Sequence, residues 1–154
     1  MYQMVQRIDV RVSTPATPAT VHALLRDGAT WPAWSPLTSF TLERPGPDAP
    51  EGVDAIRVFR TGRSTSRERV SAVVPDRRFG YELLSGLPLT DYRAFVDLTP
   101  TPGGTEIHWH STFRAKVPGT GWAYRLALGL FIRRCARGLA EYAAGTTTAA
   151  SGRG

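Results

Sequence analysis

A long amphipathic helix at the end of the chain constrains the fold more than any other feature. Apolar side chains recur at steps of three and four over residues 122–144, which on a helix of about 3.6 residues per turn makes one stripe. Because an isolated amphipathic helix leaves its apolar face in water, we expect this helix to lie on a sheet formed by the preceding residues. The predicted stripe consists of Tyr124, Leu128, Phe131, Cys135, Leu139 and Tyr142, and Arg125, Arg133, Arg134 and Arg137 fall largely outside it.

The residues before this helix follow a pattern that is typical of short strands separated by turns. Polar and apolar side chains alternate over residues 5–12, which predicts a half-buried strand. Thr17 and Pro18 predict the start of a short helix that reaches about Arg26, since threonine caps helices well and proline fits their first position. The prolines and tryptophans of residues 31–36 indicate a compact turn or short helix against the core. Further strands are expected over residues 38–43, 53–60, 65–74, 78–84, 92–98 and 105–114.

This order of elements predicts an α+β fold with one curved antiparallel sheet of about seven strands. The two short helices and the long C-terminal helix are expected on one face of the sheet, with the long helix across the concave side. A strongly twisted sheet of this size curls, so the helix can leave space at the centre. We expect residues 1–145 to form a single domain and residues 146–154 to form a flexible tail.

The composition is that of a globular domain, and it argues against several classes of protein. Hydrophobic residues make up 42% and charged residues 21% of the 154 positions. The formal charge of +6 comes from arginines spread over every segment, which does not favour a nucleic-acid partner. The single cysteine, Cys135, excludes an internal disulfide and a cysteine-based zinc motif, and it favours a cytoplasmic location. Because we find neither a signal-peptide pattern nor a run of eighteen apolar residues, we expect no stable membrane insertion.

Several short motifs together carry a family resemblance. They are Thr17-Pro18-Ala19 and the segments at residues 31–36, 55–60, 66–70, 98–105 and 107–109, followed by the last helix. Their order and spacing, over about residues 2–144, resemble the SRPBCC superfamily of helix-grip proteins, which includes the StAR-related lipid-transfer domains. More narrowly, the chain resembles small bacterial polyketide cyclase/dehydrase-like proteins.

The resemblance implies a cavity between the sheet and the C-terminal helix that binds a small hydrophobic or aromatic molecule, polyketide-like or lipid-like. It implies no cofactor, and a monomer or a weak homodimer. A polyketide cyclase or aromatase that uses the same cavity is the alternative, because this superfamily hosts both carriers and enzymes. A third interpretation is an interaction module whose helix or strand edge docks a partner. The chain has no Gly-x-Ser-x-Gly elbow, phosphate-binding glycine loop or His-Glu-x-x-His motif that would indicate a particular reaction.

Arg57 and Glu68 form the most informative charged pair. They lie on neighbouring predicted strands, and counting outward from the turn at Gly62 and Arg63 places them roughly opposite each other. One interpretation is a half-exposed structural ion pair that contributes less than about 1 kcal/mol. The other is an inward-facing polar anchor in an apolar pocket, where Glu68 could act as a base only if burial raises its pKa.

Aromatic side chains supply the remaining candidates for the cavity wall. Each could equally be ordinary core packing, but Tyr81 and Tyr92 stand out because a buried phenol needs a hydrogen-bond partner that a ligand can supply. The predicted ligand-binding residues are Trp34, Arg57, Glu68, Tyr81, Tyr92, Trp109, Tyr124 and Phe131. For the enzyme alternative, the catalytic candidates are Arg57, Glu68, Tyr81 and Tyr92.

The last predicted strand carries a His-x-His pair that invites comparison with a metal site. Alternation places Ile107, Trp109, Ser111 and Phe113 on the face under the helix. His108 and His110 therefore lie on the convex, wetter face. A closed metal site needs further ligands, and the sequence places none beside them, so we predict surface histidines and no metal.

Overall fold

The structure, a computed structural model, describes residues 4–151, with side chains described as far as Thr146. Seven strands form one antiparallel sheet in the order β1-β7-β6-β5-β4-β3-β2. The elements are β1 (Gln6–Thr14), α1 (Pro18–Arg26), a 3-10 turn (Gly28–Thr30), α2 (Trp31–Trp34), β2 (Ser39–Arg44), β3 (Ile56–Thr61), β4 (Ser64–Val74), β5 (Arg78–Ser85), β6 (Leu89–Thr101), β7 (Gly104–Ala115) and α3 (Gly121–Ser151). The predicted helix-grip architecture, a curved sheet with two short helices and a long C-terminal helix, is confirmed.

The first helix begins where the sequence predicts. The Thr17 side-chain oxygen accepts a hydrogen bond from the Thr20 backbone N–H at 3.2 Å, and Pro18 occupies the first turn. The chain then crosses to the far edge of the sheet, which is why β1 pairs with β7 rather than with β2. Two buried hydrogen bonds stabilise the end of β1. The Thr105 hydroxyl donates to the Ala16 carbonyl at 2.7 Å, and the Thr14 hydroxyl donates to the Ala140 carbonyl of α3 at 2.8 Å.

Tryptophans pack at the centre of the sheet's concave face. The Trp31 ring of α2 lies 4.7 Å from the Trp34 ring, 5.1 Å from Phe59 and 5.7 Å from Trp109, measured between centroids. All of these side chains are buried. These rings fill only part of the centre. The remaining space under α3 lies over β3–β6, which include the central strand β5.

The long helix is confirmed, but its buried face differs from the predicted stripe in the second half. Small side chains dominate there, since Ala136, Ala140 and Ala143 are buried beside Cys135 and Leu139. Tyr142, placed in the stripe from its spacing, is 40% exposed. The prediction was wrong for Tyr142 because alanine is only weakly hydrophobic, so the alanines did not stand out as the buried face. Their small size lets α3 approach β1 closely.

The helix also runs further than predicted, through Ser151 rather than ending at residue 144. It thereby includes residues 146–151 of the predicted tail, and residues 152–154 lie outside the described part. Gly138 brings α3 against α2, because a Cβ atom at this position would overlap the carbonyl oxygen of Trp34. This contact sets the distance between the two helices.

Candidate ligand-binding site

A cavity of about 310 Å³ lies between the first half of α3 and the strands β3–β6. Its floor is buried and consists of Glu68, Tyr81, Tyr92 and Ile132. Its walls are mainly apolar and consist of Leu37, Ser66, Leu83, Leu87, Tyr124, Leu128 and Phe131. Its mouth is marked by exposed lining residues, which are Thr61, Ser64, Thr65, Gly86 and Ala127. Such a mixture of apolar walls and a few buried polar groups is typical of small-molecule sites.

The strand register places the three polar groups of the floor. Arg57 of β3 pairs with Glu68 of β4, as predicted, and Val70, two residues further along β4, pairs with Tyr81 of β5. Tyr92 lies within a register shift between Thr90 and Arg93, where Asp91 adopts a left-handed backbone with φ of 54°. This bulge turns the Tyr92 ring inward, where it stacks on Phe113 at 6.0 Å. It also explains why β6 begins at Leu89 and not at the predicted residue 92.

Both tyrosine hydroxyls of the floor are neutral at physiological pH. Burial raises the pKa of Tyr92 to about 12 and lifts the pKa of Tyr81 well above its usual value. The Tyr81 hydroxyl accepts a hydrogen bond from the Trp109 indole N–H at 3.2 Å. Its own proton can then be donated, and the pair of phenols offers hydrogen-bond donors at the bottom of an apolar space.

Glu68 is the ionisable group of the floor. It is 8% exposed, and burial raises the pKa of its carboxyl to about 7, although the neighbouring Arg57 charge opposes the rise. The carboxyl is therefore close to half-protonated at neutral pH. The sequence alone allows Glu68 to act as a base on one condition, which is that burial raises its pKa. The buried position of Glu68 meets this condition. The half-exposed interpretation of the Arg57–Glu68 pair is wrong.

Arg57 lies behind Glu68 and does not line the cavity. Its guanidinium is fully buried and lies 4.9–5.0 Å from the ring centroids of Trp31, Phe59 and Phe79. One terminal nitrogen, Nη1, donates to the Leu25 carbonyl at 3.0 Å and to a Glu51 carboxylate oxygen at 3.3 Å. Burial lowers the pKa of Arg57, and the charges of Glu68 and Glu51 oppose this. Arg57 thus acts on the cavity through Glu68.

Several polar atoms between Arg57 and the cavity have no hydrogen-bond partner in the described part of the chain. Nη2 of Arg57 and Oε1 of Glu68 are 3.9 Å apart, too far for a hydrogen bond, and both are buried and unsatisfied. A buried polar atom without a partner costs roughly 1–3 kcal/mol. Glu68 also lines the cavity, so its carboxyl joins the buried Arg57 to the cavity floor.

The structure brings together five of the eight predicted site residues. Glu68, Tyr81, Tyr92, Tyr124 and Phe131 line the cavity, whereas Arg57, Trp34 and Trp109 lie outside it. Trp109 is part of the ring cluster around Trp31. Both tryptophans were candidates because of their size, but the short α2 helix packs them into the core.

Sequence reasoning missed the leucines of the wall and the acidic residue beside Arg57. Glu51 lies in a proline-rich loop without any periodic pattern, and it also accepts a hydrogen bond from the Gly28 backbone at 2.8 Å. No local signal indicates these contacts. Leu37, Leu83 and Leu87 resemble other core leucines in the sequence, so only the fold distinguishes them.

A larger recess of about 780 Å³ lies further along α3, beside its C-terminal half and against α2. It is an open groove, and its charged lining residues, Arg134 and Glu141, are exposed. Trp34 contributes to its wall. With no buried polar group on its surface, this groove offers a ligand less than the deeper cavity does.

The two histidines lie on the convex face, as predicted, but the register also brings carboxylates beside them. The His110 Nε2 atom is 2.7 Å from Asp97, and the His108 Nε2 atom is 3.0 Å from Asp9. Asp97, His108 and His110 offer ligand atoms within 4.8 Å of one another. However, Arg78 already donates two hydrogen bonds to Asp97, at 2.6 and 3.1 Å. These hydrogen bonds account for the cluster, and the absence of a metal stays a prediction.

Two further properties of the described residues bear on function. Within residues 4–151, no helix has both the length and the apolar character that crossing a bilayer requires. The Cys135 thiol is buried, which raises its pKa above the usual value. A protonated, inaccessible thiol packs as a small apolar group and is a poor nucleophile.

Solved structures of the same fold are numerous, although none of the three compared here exceeds 16% identity. A START superfamily protein from Mycobacterium smegmatis shares 14% identity at a TM-score of 0.77, covering 90% of this chain and 97% of that one. The di-domain ARO/CYC StfQ from the steffimycin biosynthetic pathway shares 16% identity at a TM-score of 0.78 over 94% of this chain, which spans 52% of that protein. The protein XoxI from Bacillus cereus shares 16% identity at a TM-score of 0.69, covering 92% and 95% of the two chains. These likenesses establish the fold.

The sequence also matches a family directly. No curated protein matches the chain. The family described as polyketide cyclase/dehydrase and lipid transport matches residues 5–144, which span nearly all of the sheet and most of α3. The chain therefore belongs to the polyketide cyclase/dehydrase and lipid transport family.

Proposed function

We propose that the protein binds a small, flat, largely apolar molecule that carries at least one hydroxyl or carbonyl group, in the cavity beneath α3. The observation that carries this proposal is the floor of the cavity, where the buried carboxyl of Glu68 and the buried phenols of Tyr81 and Tyr92 line an otherwise mainly apolar space. The apolar walls favour an aromatic or lipid-like body, and burial of such a body supplies most of the affinity. Membership of a family described by polyketide cyclisation and lipid transport supports the same ligand class.

The polar floor provides orientation and specificity. A ligand hydroxyl can donate to the Glu68 carboxylate and accept from a tyrosine hydroxyl, which gives the buried carboxylate a hydrogen-bond partner. An apolar ligand of the same shape leaves Glu68 unsatisfied. Discrimination of this kind is typically worth about one kcal/mol for a neutral group and more for a charged one, so roughly tenfold or more in affinity.

Isothermal titration with 2-naphthol and the isosteric 2-methylnaphthalene tests the proposal. At pH 8, where Glu68 is largely ionised, we expect 2-naphthol to bind at least roughly tenfold more tightly. The Leu128→Trp substitution places a larger ring in the cavity wall and is expected to abolish binding. Leu126→Trp, on the exposed side of the same helix, is the matched control and should bind like the wild type. Equal binding by the two variants would contradict the proposal.

The cyclase alternative is favoured by one observation, a buried carboxyl, that of Glu68, on the cavity floor, where burial raises its pKa to about 7. A carboxyl that titrates near neutral pH can remove a proton from an activated methylene group and return it later. In a poly-ketone, the enolate carbon formed in this way attacks a ketone carbon of the same chain and closes the ring, the new alkoxide takes up a proton, and loss of this hydroxyl with a neighbouring proton as water leaves a double bond. The cavity would contribute by holding the reacting carbons close together.

A reconstituted minimal polyketide synthase tests the alternative. An enzyme is expected to change the ring pattern of the released products, and Glu68→Gln is expected to abolish the change while 2-naphthol binding is retained. If the products are the same with and without the protein, the cyclase alternative is contradicted and only the binding function remains.

A further inference from the structure

The outward side of α3 carries an unusual apolar stripe. Trp122, Leu126 and Leu130, spaced four residues apart, are 60%, 57% and 65% exposed. We call these three residues the outer stripe. None of them lines the cavity or belongs to the core, and Val117 just before the helix is exposed as well. Contiguous exposed apolar side chains of this size mark a contact surface more often than chance exposure does.

Positive charge accompanies the outer stripe along the same helix. Arg125, Arg133, Arg134 and Arg137 are all exposed, and none forms an ion pair with the described part of the chain. Among the described side chains of α3 the only acidic residue is Glu141. The helix therefore presents large apolar groups followed by unpaired cations, with little negative charge to balance them.

The outer stripe also adjoins the mouth of the cavity. Ala127 is exposed and lines the mouth, directly after Leu126 in the chain, and Phe131 of the wall follows Leu130. At about 100° per residue, Ala127 lies roughly 60° around the helix from Leu130, so this mouth residue borders the outer stripe, whereas the wall residue Leu128 lies roughly 160° from Leu126 on the opposite side of α3. A partner bound to the outer stripe would sit next to the entrance.

We propose that the outer stripe docks on the surface of an anionic phospholipid bilayer. Tryptophan and leucine side chains bury favourably at the boundary between headgroups and acyl chains, and the arginines pair with lipid phosphates. A helix of this kind lies in the plane of the interface, which is consistent with the absence of a membrane-crossing helix among the described residues. Docking brings the cavity mouth to the membrane, where lipid-like molecules can enter or leave.

A second copy of the chain fits this surface less well. Pairing two outer stripes would bring two sets of unpaired arginines together, and like charges repel. Three apolar side chains on one helix also offer little of the roughly 1,200 Å² that a stable protein interface buries. An anionic bilayer supplies both the apolar boundary and the opposite charge.

Vesicle flotation tests the proposal on the full-length protein. We expect the wild type to float with vesicles of phosphatidylcholine and phosphatidylglycerol (7:3) and to remain in solution with phosphatidylcholine alone. Trp31, Trp34 and Trp109 are buried, so a blue shift of tryptophan fluorescence on vesicle addition reports Trp122. The shift should disappear in Trp122→Phe.

Two sets of substitutions separate the apolar and charged contributions. The triple variant Trp122→Ser, Leu126→Ser and Leu130→Ser is expected to lose vesicle binding. Replacing Arg133, Arg134 and Arg137 by glutamine is expected to weaken it roughly a hundredfold. Val74→Ser, which removes an exposed apolar side chain at the end of β4, is the control and should bind like the wild type. Circular dichroism checks that each variant is folded.

Three results would overturn docking on an anionic bilayer. The first is failure of the folded wild type to float. The second is equal binding to neutral vesicles that the arginine substitutions do not affect. The third is a concentration-dependent dimer, seen by light scattering and abolished by the serine variant, without vesicle binding. Titration of the serine variant with 2-naphthol in vesicle-free buffer distinguishes this proposal from the ligand-binding one, since the cavity is expected to be unaffected.

Discussion

Replacing Arg57 by methionine tests the buried charge network most severely. Methionine is unbranched and can keep the contacts with Trp31, Phe59 and Phe79, so the change removes the guanidinium and little of the packing. The carboxylates of Glu51 and Glu68 lose their cationic neighbour, and the Leu25 carbonyl loses a donor.

The expected cost follows from the burial of the pair. Removing one member of a buried ion pair typically lowers the free energy of unfolding by about 3–5 kcal/mol, because the other charge stays buried without compensation. For a chain of this length, that corresponds to a fall in Tm of roughly 10 °C. Protonation of Glu68 relieves part of the cost, so the loss should be smaller at pH 5 than at pH 8.

Urea denaturation followed by far-UV circular dichroism measures the effect. Arg69→Met is the matched control, because Arg69 lies on the neighbouring strand and contacts Glu82 at 2.6 Å on the exposed face of the sheet. We expect it to cost less than about 1 kcal/mol. If Arg57→Met costs no more than Arg69→Met, the assignment of Arg57 as a buried, charge-paired residue is refuted.

Two further predictions concern Glu68 and the glycines of α3. Because burial raises the pKa of Glu68 from 4.5 to about 7, the native state binds more protons between these values, and stability should fall by up to about 3 kcal/mol as the pH rises through this range. Glu68→Gln should lack this fall in urea denaturation at pH 5 and pH 8, and an identical pH dependence in both proteins would contradict the shift. Gly138→Ala should destabilise the fold by several kcal/mol, because the added Cβ atom overlaps the Trp34 carbonyl. Gly129→Ala meets no atom within 4 Å and should stabilise the helix by about 0.5–1 kcal/mol; a loss as large as that of Gly138→Ala would refute the close contact.

The elements of the fold were predictable because each follows a local rule. Alternation located the strands, the Thr17–Pro18 cap located α1, and the three–four spacing located α3. The turn at Gly62 was sufficient to place Arg57 opposite Glu68, since a hairpin fixes the register of the strands it joins. Boundaries were less predictable where the chain departs from regular geometry, as at the bulge before Tyr92.

The position and lining of the cavity depend on contacts that are distant in sequence. Trp31 and Trp34 of α2 reach Trp109 of β7 through ring contacts, and the space that they leave under α3 lies over β3–β6. Glu51 reaches Arg57 from an irregular loop, and Asp97 reaches His110 from a neighbouring strand. Contacts between residues that are distant in sequence leave no periodic pattern. The sequence therefore identified polar candidates but not which of them line the same cavity.

Nuclear Overhauser contacts between bound 2-naphthol and the protein test directly whether the ligand binds between the sheet and α3. We expect contacts from the ligand protons to the Tyr92 ring, the Leu128 methyl groups and the Phe131 ring, because these residues line the cavity under α3. Contacts confined to Ala33 and Tyr142 would place the ligand instead in the open groove between α2 and the C-terminal half of α3. That result, or a complete absence of binding, would contradict a ligand site between the sheet and the C-terminal helix.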